Sequence, residues 1–151
     1  MCKRGDIILI RNYKDGDVTL RQHSFVVLDD SGGQVSGVDY DLIALVMSSF
    51  KDEAQRERKL RYPGNFAISA SDEQMGIQAH GKDGYIKAEQ FYYFQKDSLD
   101  YIQIGSLTIE AWDALLAFIE MLSERGIEIR QILDNLRSED SEAAEKEEDR
   151  D

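Results

Sequence analysis

Tyr40-Asp41-Leu42-Ile43-Ala44-Leu45-Val46-Met47-Ser48-Ser49-Phe50-Lys51 is the stretch that decides the fold. Residues 42–47 are apolar without interruption. The short run, its β-branched content and its polar ends predict a strand buried on both faces, although periodicity alone fits a buried helix as well. The run stops at two hydroxyls and a lysine, so a core strand would carry reactive side chains to a rim. A rigid element of that kind fixes the geometry of the groups it presents. A plain Ser-Ser turn after a strand is the bland alternative.

Working outward toward the N-terminus, Gly5-Asp6 opens a predicted strand at 7–11, and Asp15-Gly16-Asp17 reads as a turn. A second strand at 24–28 closes on a glycine-bearing loop at 29–33 that leads into the central strand. Toward the C-terminus, 52–58 (DEAQRER) contains good helix formers but no apolar face, which predicts at most one exposed turn. Pro63-Gly64 marks a turn before a short strand at 65–70. The polar, glycine-bearing stretch 71–84 reads as a mobile loop, with His80 as a surface histidine. A long strand follows at 85–94, bent near Lys87-Ala88-Glu89-Gln90, and 100–104 alternates as the last strand. Thr108 looks like an N-cap with Glu110 in the first turn. Trp112, Leu115, Leu116, Ile119 and Leu122 define one helical face, Gly126 ends that helix, and Ile129, Ile132, Leu133 and Leu136 predict a second, shorter one.

Strands precede helices without alternation, which excludes a doubly wound parallel sheet. The expectation is an α+β fold: a small, strongly bent antiparallel sheet or barrel with C-terminal helices packed against it. It divides into one domain over 1–137 and an acidic tail over 138–151, which has too few apolar residues to offset the entropy of ordering and is expected to be disordered.

Composition narrows the function classes. With 42% hydrophobic and 32% charged residues, the 151-residue chain has the make-up of a soluble globular domain. It has no apolar run near the ~20 residues of a membrane-spanning helix, and the one behind Lys3-Arg4 is too short for a signal-peptide core. Cys2 is the single cysteine, which rules out an internal disulfide and a cysteine-based zinc site. These features predict a cytoplasmic protein without membrane partners. A net charge of −12 argues against indiscriminate nucleic-acid binding, yet half of it lies in 138–151, where eight acids stand against two bases. By contrast, residues 51–62 hold five bases and three acids, a local basic segment directly after the candidate strand. A solvated face is the ordinary reading of such a segment.

Four segments taken in order resemble one family. Lys3-Arg4-Gly5-Asp6-Ile7-Ile8-Leu9-Ile10 looks like the opening of MazF/PemK-type toxins, and His23-Ser24-Phe25-Val26-Val27-Leu28 falls where they carry Arg-Pro and an apolar strand. Residues 42–51 resemble their central strand, and Ile86-Lys87-Ala88-Glu89-Gln90 their later strand with basic residue, spacer, acid and glutamine. Ser48-Ser49-Phe50-Lys51, the His-Ser-Phe-Val-Val strand and Lys59-Leu60-Arg61-Tyr62-Pro63-Gly64-Asn65-Phe66 are more similar to the CptN-like branch of type III toxin–antitoxin systems. The resemblance spans residues 3 to about 122.

The resemblance implies an SH3-like (MazF-like) barrel. It also implies an endoribonuclease toxin that cuts single-stranded RNA without metal or cofactor, leaving 2′,3′-cyclic phosphate and 5′-hydroxyl ends. Such chemistry needs an acceptor for the 2′-hydroxyl proton, a donor to the leaving oxygen, and charge around the phosphorane-like transition state. By match to the family pattern, Ser48, with Ser49 beside it, would donate to the phosphate and Lys51 would neutralise it. His23 would serve as acid or base, and Lys87 with Glu89 would form the basic–acidic pair, co-facial on a strand. The choice of base between His23 and Glu89 stays open. Arg21 could supply the charge that His23 lacks in place of the family arginine. Arg56, Arg58, Lys59 and Arg61 would track the RNA backbone, while Tyr62 and Phe66 stack bases. The implied partner is a cognate antitoxin, either a structured repeat RNA or a small protein; a homodimer and an RNA-bridged oligomer are both open. The family's Arg-Pro is absent, so the alternative is a catalytically inactive SH3-like module that binds RNA or protein.

Overall fold

The computed structural model describes residues 2–15, 18–19, 22–69, 73–74 and 83–136. Its first half runs through β1 (Asp6–Ile10), the short pair β2 (Lys14–Asp15) and β3 (Val18–Thr19), and β4 (His23–Asp29). The hairpin of β5 (Gly33–Val35) and β6 (Val38–Tyr40) comes next, then β7 (Leu42–Ser49) and α1 (Glu53–Leu60). The second half comprises β8 (Asn65–Ile68), β9 (Glu73–Gln74), β10 (Gly84–Lys87), β11 (Gln90–Phe94), β12 (Tyr101–Leu107), α2 (Ile109–Glu124) and β13 (Arg130–Ile132). The fold is α+β and mostly antiparallel.

The main sheet follows the order β13-β11-β7-β4-β1-β12-β9, with β10 also on β7 and β8 on β10. β7 is its axis. It pairs with β4 along one edge and with both β10 and β11 along the other. Residues 42–47 are all buried, as expected for a strand covered on both faces. Leu45 and Met47 pack with Ile7, Val26 and Ile86 in a cluster under α2. Leu42, Ala44 and Val46 point the other way, into a cluster with Ile8, Phe25, Val27 and Phe94. An edge-to-face aromatic network links Phe25 to Tyr13, Tyr92 and Phe94 on that second face, at centroid distances of 5.3–5.5 Å.

The sheet curls without closing. Ile68 of β8, on the β10 branch, and Leu107 of β12, on the far side of β7 beyond β4 and β1, belong to the same buried cluster. Among the described residues no ladder joins β8 to β12 or β9; α2 touches both β8 and β12 and fills the gap. The expected closed barrel is thus not formed, because a helix rather than strand pairing completes the core. α2 buries Ala111, Leu115 and Leu122. Leu116, expected on that face, is exposed: Ala111 occupies the buried turn in its place, rotating the stripe by part of a residue. Thr108 caps the helix, its Oγ1 accepting from the Ala111 N–H at 3.1 Å, a contact typically worth about 1 kcal/mol. At the other end Gly126 N–H donates to the Ser123 carbonyl and Ile127 N–H to the Leu122 carbonyl, a Schellman stop.

Two expected elements differ. Residues 129–136 do not form a second C-terminal helix. Arg130–Ile132 instead joins β11 as a parallel edge strand, with Arg130 N–H donating to the Glu89 carbonyl at 2.8 Å and Gln131 Nε2 to Tyr93 Oη at 3.1 Å. The open edge of β11 offered backbone partners that an isolated short helix could not match. Residues 53–60 form two helical turns rather than at most one. Asp52 caps the start by accepting from the Gln55 N–H at 2.7 Å, and Asn65 Nδ2 caps the end through the Lys59 carbonyl at 2.8 Å. The connection after the 29–33 loop, expected to lead straight into the central strand, folds instead into the β5–β6 hairpin, and Ser36-Gly37, both at positive φ, is the turn that a two-residue hairpin demands. Most of the stretch 71–84, His80 included, and the tail 138–151 lie outside the described residues, as do the central positions of the 15–17 turn.

The strand expected at 85–94 is divided. Ile86 pairs with Met47 and Tyr92 with Ala44, so residues 87–91 on this side oppose only Leu45 and Val46 on β7. This wide bulge, at the expected bend, lifts 88–89 out of the ladder and is followed by an inverted facing. At the other end of β10, Gly84 pairs with Ser49, and a Cβ built there would collide with the Ser48 carbonyl oxygen. Gly84→Ala should therefore push β10 off β7 and destabilise the fold by about 1–3 kcal/mol, as a lowered midpoint in urea denaturation; an unchanged midpoint would show that the two strands are not in close contact.

Candidate functional site

Ser48 is where the buried strand surfaces. By the alternation along β7 its side chain shares the face of Leu42, Ala44 and Val46. β4 pairs Ser24 with Met47, which brings His23, one step further, alongside Ser48. On the opposite edge β10 pairs Tyr85 directly with Ser48. His23, Ser48 and Tyr85 thus form a row across three neighbouring strands, with ~4.8 Å between strands. Lys87, two residues after Tyr85 on β10, lies on the same face, one row in.

His23 is half-buried, and its ring rests against Tyr13 with centroids 5.1 Å apart. Burial pulls its pKa below the usual 6.5, and the Lys87 ammonium lowers it further. Both causes favour the neutral imidazole, the form that can accept a proton. Strand register puts Lys87 and His23 on one face of the sheet, where the ammonium acts on the imidazole.

Phe50, just past β7, stacks on Tyr85 at 5.2 Å, and the Arg56 guanidinium sits over Phe50 at 5.6 Å. The layered Arg56–Phe50–Tyr85 contact fastens the first turn of α1 to the edge of the row. Arg56, expected to track a backbone, is used here as a clamp. Ser49 falls on the other face of β7, and Lys51 follows the end of the strand. Alternation turns Ser49 toward the face of Leu45 and Met47, while Lys51 is exposed beyond the strand, its N–H donating to Gln55 Oε1 at 2.6 Å.

Glu89 leaves the ladder with the bulge. Its carboxylate lies where a Cβ on Gly64 would sit, so the expected Lys87–Glu89 pairing on one regular strand is not what the chain adopts. Arg58, Lys59, Arg61 and Tyr62 gather at the C-terminal end of α1, with Tyr62 59% exposed. Phe66 faces inward instead, its ring 5.2 Å from that of Phe118 on α2. Arg21 lies outside the described residues. The structure adds Tyr13 and Tyr85, which sequence reasoning passed over; the alternation Tyr85–Lys87 was the one available hint.

A separate concavity of about 300 Å³, lined by Asp39, Tyr40, Asp41, Gln95 and Asp97, lies at the opposite end of β7. Among the described residues no group of three or more His, Cys, Asp or Glu side chains is arranged to hold a metal ion, and no helix is long and apolar enough to cross a membrane. No protein-family model matches the chain, and no curated protein matches it either.

The depressed pKa has a sign that can be measured. A histidine kept neutral by the fold contributes stability in full above its unfolded pKa, and loses it as pH falls from 6.5 to the folded pKa. In NMR titration of a His80→Ala background, His23 should titrate below 6.5. Lys87→Met should move the midpoint up only part of the way, because burial is the larger cause. A midpoint indifferent to Lys87 would separate the two side chains.

Proposed function

We propose that the row of His23, Ser48 and Tyr85, with Lys87 beside it, cleaves single-stranded RNA by transesterification, and that the curled sheet is a relative of the SH3-like MazF-type barrels. The observation that carries this reading is the placement of a half-buried imidazole, its pKa lowered by burial, and a hydroxyl on adjacent strands of one face, with a lysine on that face too. His23 accepts the 2′-hydroxyl proton as the 2′-oxygen bonds to phosphorus. Ser48 donates to a non-bridging oxygen, and the Lys87 ammonium offsets the charge that builds up there. The phosphorus–O5′ bond then breaks, the O5′ takes a proton from Lys87, and a 2′,3′-cyclic phosphate and a 5′-hydroxyl result. Arg58, Lys59, Arg61 and Tyr62 supply the approach surface for the backbone and bases. A cognate antitoxin, a repeat RNA or a small protein, would cover the same ground. Of the two candidate bases, His23 is preferred because Glu89 is packed over Gly64.

A binding module without catalysis is the second reading, favoured by the packing of His23 against Tyr13, which gives the ring a structural role of its own. One assay separates them. Purified protein incubated with a defined single-stranded RNA and a chelator should yield cyclic-phosphate ends by mass spectrometry. Ser48→Ala should slow the cut by about 10²–10³-fold and His23→Ala by about 10²–10⁴-fold. RNA retained but uncut supports the module, and a cut indifferent to both substitutions removes the row from the chemistry.

A further inference from the structure

The end of α1 is a cationic strip on an acidic protein. Arg58 and Lys59 occupy the last turn, Arg61 follows, and among the described residues no carboxylate pairs with any of them. Elsewhere Arg4 meets Asp29 and Asp30, and Arg11 meets Asp100. Against this strip the sequence sets residues 138–151, whose eight acids and two bases hold half of the net −12.

The chain path brings the two close. Tyr62 to Gly64 follow α1 directly, the Glu89 side chain lies over Gly64, and Arg130 N–H donates to the Glu89 carbonyl. β13 therefore starts beside the turn that ends α1. From Arg130 to Leu136 the chain spans at most about 20 Å, and residues 137–151 can reach about 50 Å further, more than the width of a body whose radius of gyration is about 14 Å.

We propose that the acidic segment 138–151 docks on Arg58, Lys59 and Arg61 of its own chain and screens that strip from RNA. The screening rests on the reading of the strip as an RNA approach; the docking does not. Attachment gives the segment a local concentration in the millimolar range. Exposed ion pairs are individually weak and salt-sensitive, so the segment yields to a polyanion with more charges to offer. The occupant acts as a competitor for the strip that a polyanion displaces. Its few apolar residues, two alanines, suit a contact made by charge alone.

The 151-residue chain tests this in two measurements. Zero-length carbodiimide coupling, which joins a carboxylate to a lysine amine with loss of water, should link Lys59 to the 138–151 segment within one chain at about 0.05 M salt. The link should fade at about 0.5 M, where the Debye length is only a few ångströms. Changing the eight acids to their amides should then raise affinity for a 12-nucleotide RNA by about fivefold or more at low salt, with the gap closing at high salt. Absence of the Lys59 link, or its appearance only between chains, overturns the docking. A link accompanied by unchanged RNA affinity keeps the docking and overturns the screening. If neither form binds RNA while the link persists, it is the RNA reading of the strip that fails.

Discussion

The ladder on both edges of β7 is the constraint on which the rest of this structure depends. A strand whose six apolar residues are buried on both faces must satisfy every backbone N–H and carbonyl through neighbours, since water cannot reach them. β4 supplies one edge; β10 and β11 share the other. Each partner is thereby held in a fixed register, and register fixes the side-chain face. The candidate site is a by-product of that register. Ser48 is the position at which the doubly buried strand first meets solvent, and its neighbours on both sides are determined by the same bonds that hold the core.

Placing the site at the end of the central strand has an electrostatic consequence. The second apolar cluster, with Phe25, Tyr13 and Tyr92 in edge-to-face contact, backs directly onto His23. The same aromatic packing that stabilises this face therefore desolvates the imidazole and favours its uncharged form. Lys87 reinforces the effect because the chain is regular up to that residue and bulges only after it. Had the bulge begun two residues earlier, Lys87 would have left the row. The close approach at Gly84 plays the corresponding part at the other end of β10, where a side chain would hold Tyr85 away from Ser48.

Much of the framework was legible from residue order. The six-residue apolar run, the apolar strand around Phe25, the bend near 87–90 and the Thr108-capped helix all carry local signals, and the structure places an element at each. The errors share a cause. Residues 129–136 satisfy helical spacing, but the free edge of β11 captured them; α1 lacks an apolar face, but caps from Asp52 and Asn65 and the stack on Phe50 hold it. In each case a partner remote in sequence outweighed local preference. The candidate site divides the same way. Ser48 announced itself at the end of an apolar run, whereas the turn of Ser49 to the other face, the inward turn of Phe66 and the use of Arg56 as a clamp depend on which face each element presents.

The sequence by itself determined that this chain builds a bent, mainly antiparallel sheet around one strand with six apolar residues in succession, since that run leaves few other places for it. It also determined the opposed charges of 51–62 and 138–151, which are a matter of counting. Only the tertiary structure decided that His23, Tyr85 and Lys87 flank Ser48, and that a helix rather than further strand pairing completes the core. Those outcomes rest on register and on the length of a bulge. Both are set by hydrogen bonds between residues tens of positions apart, and such bonds leave no periodic trace in the order of the amino acids.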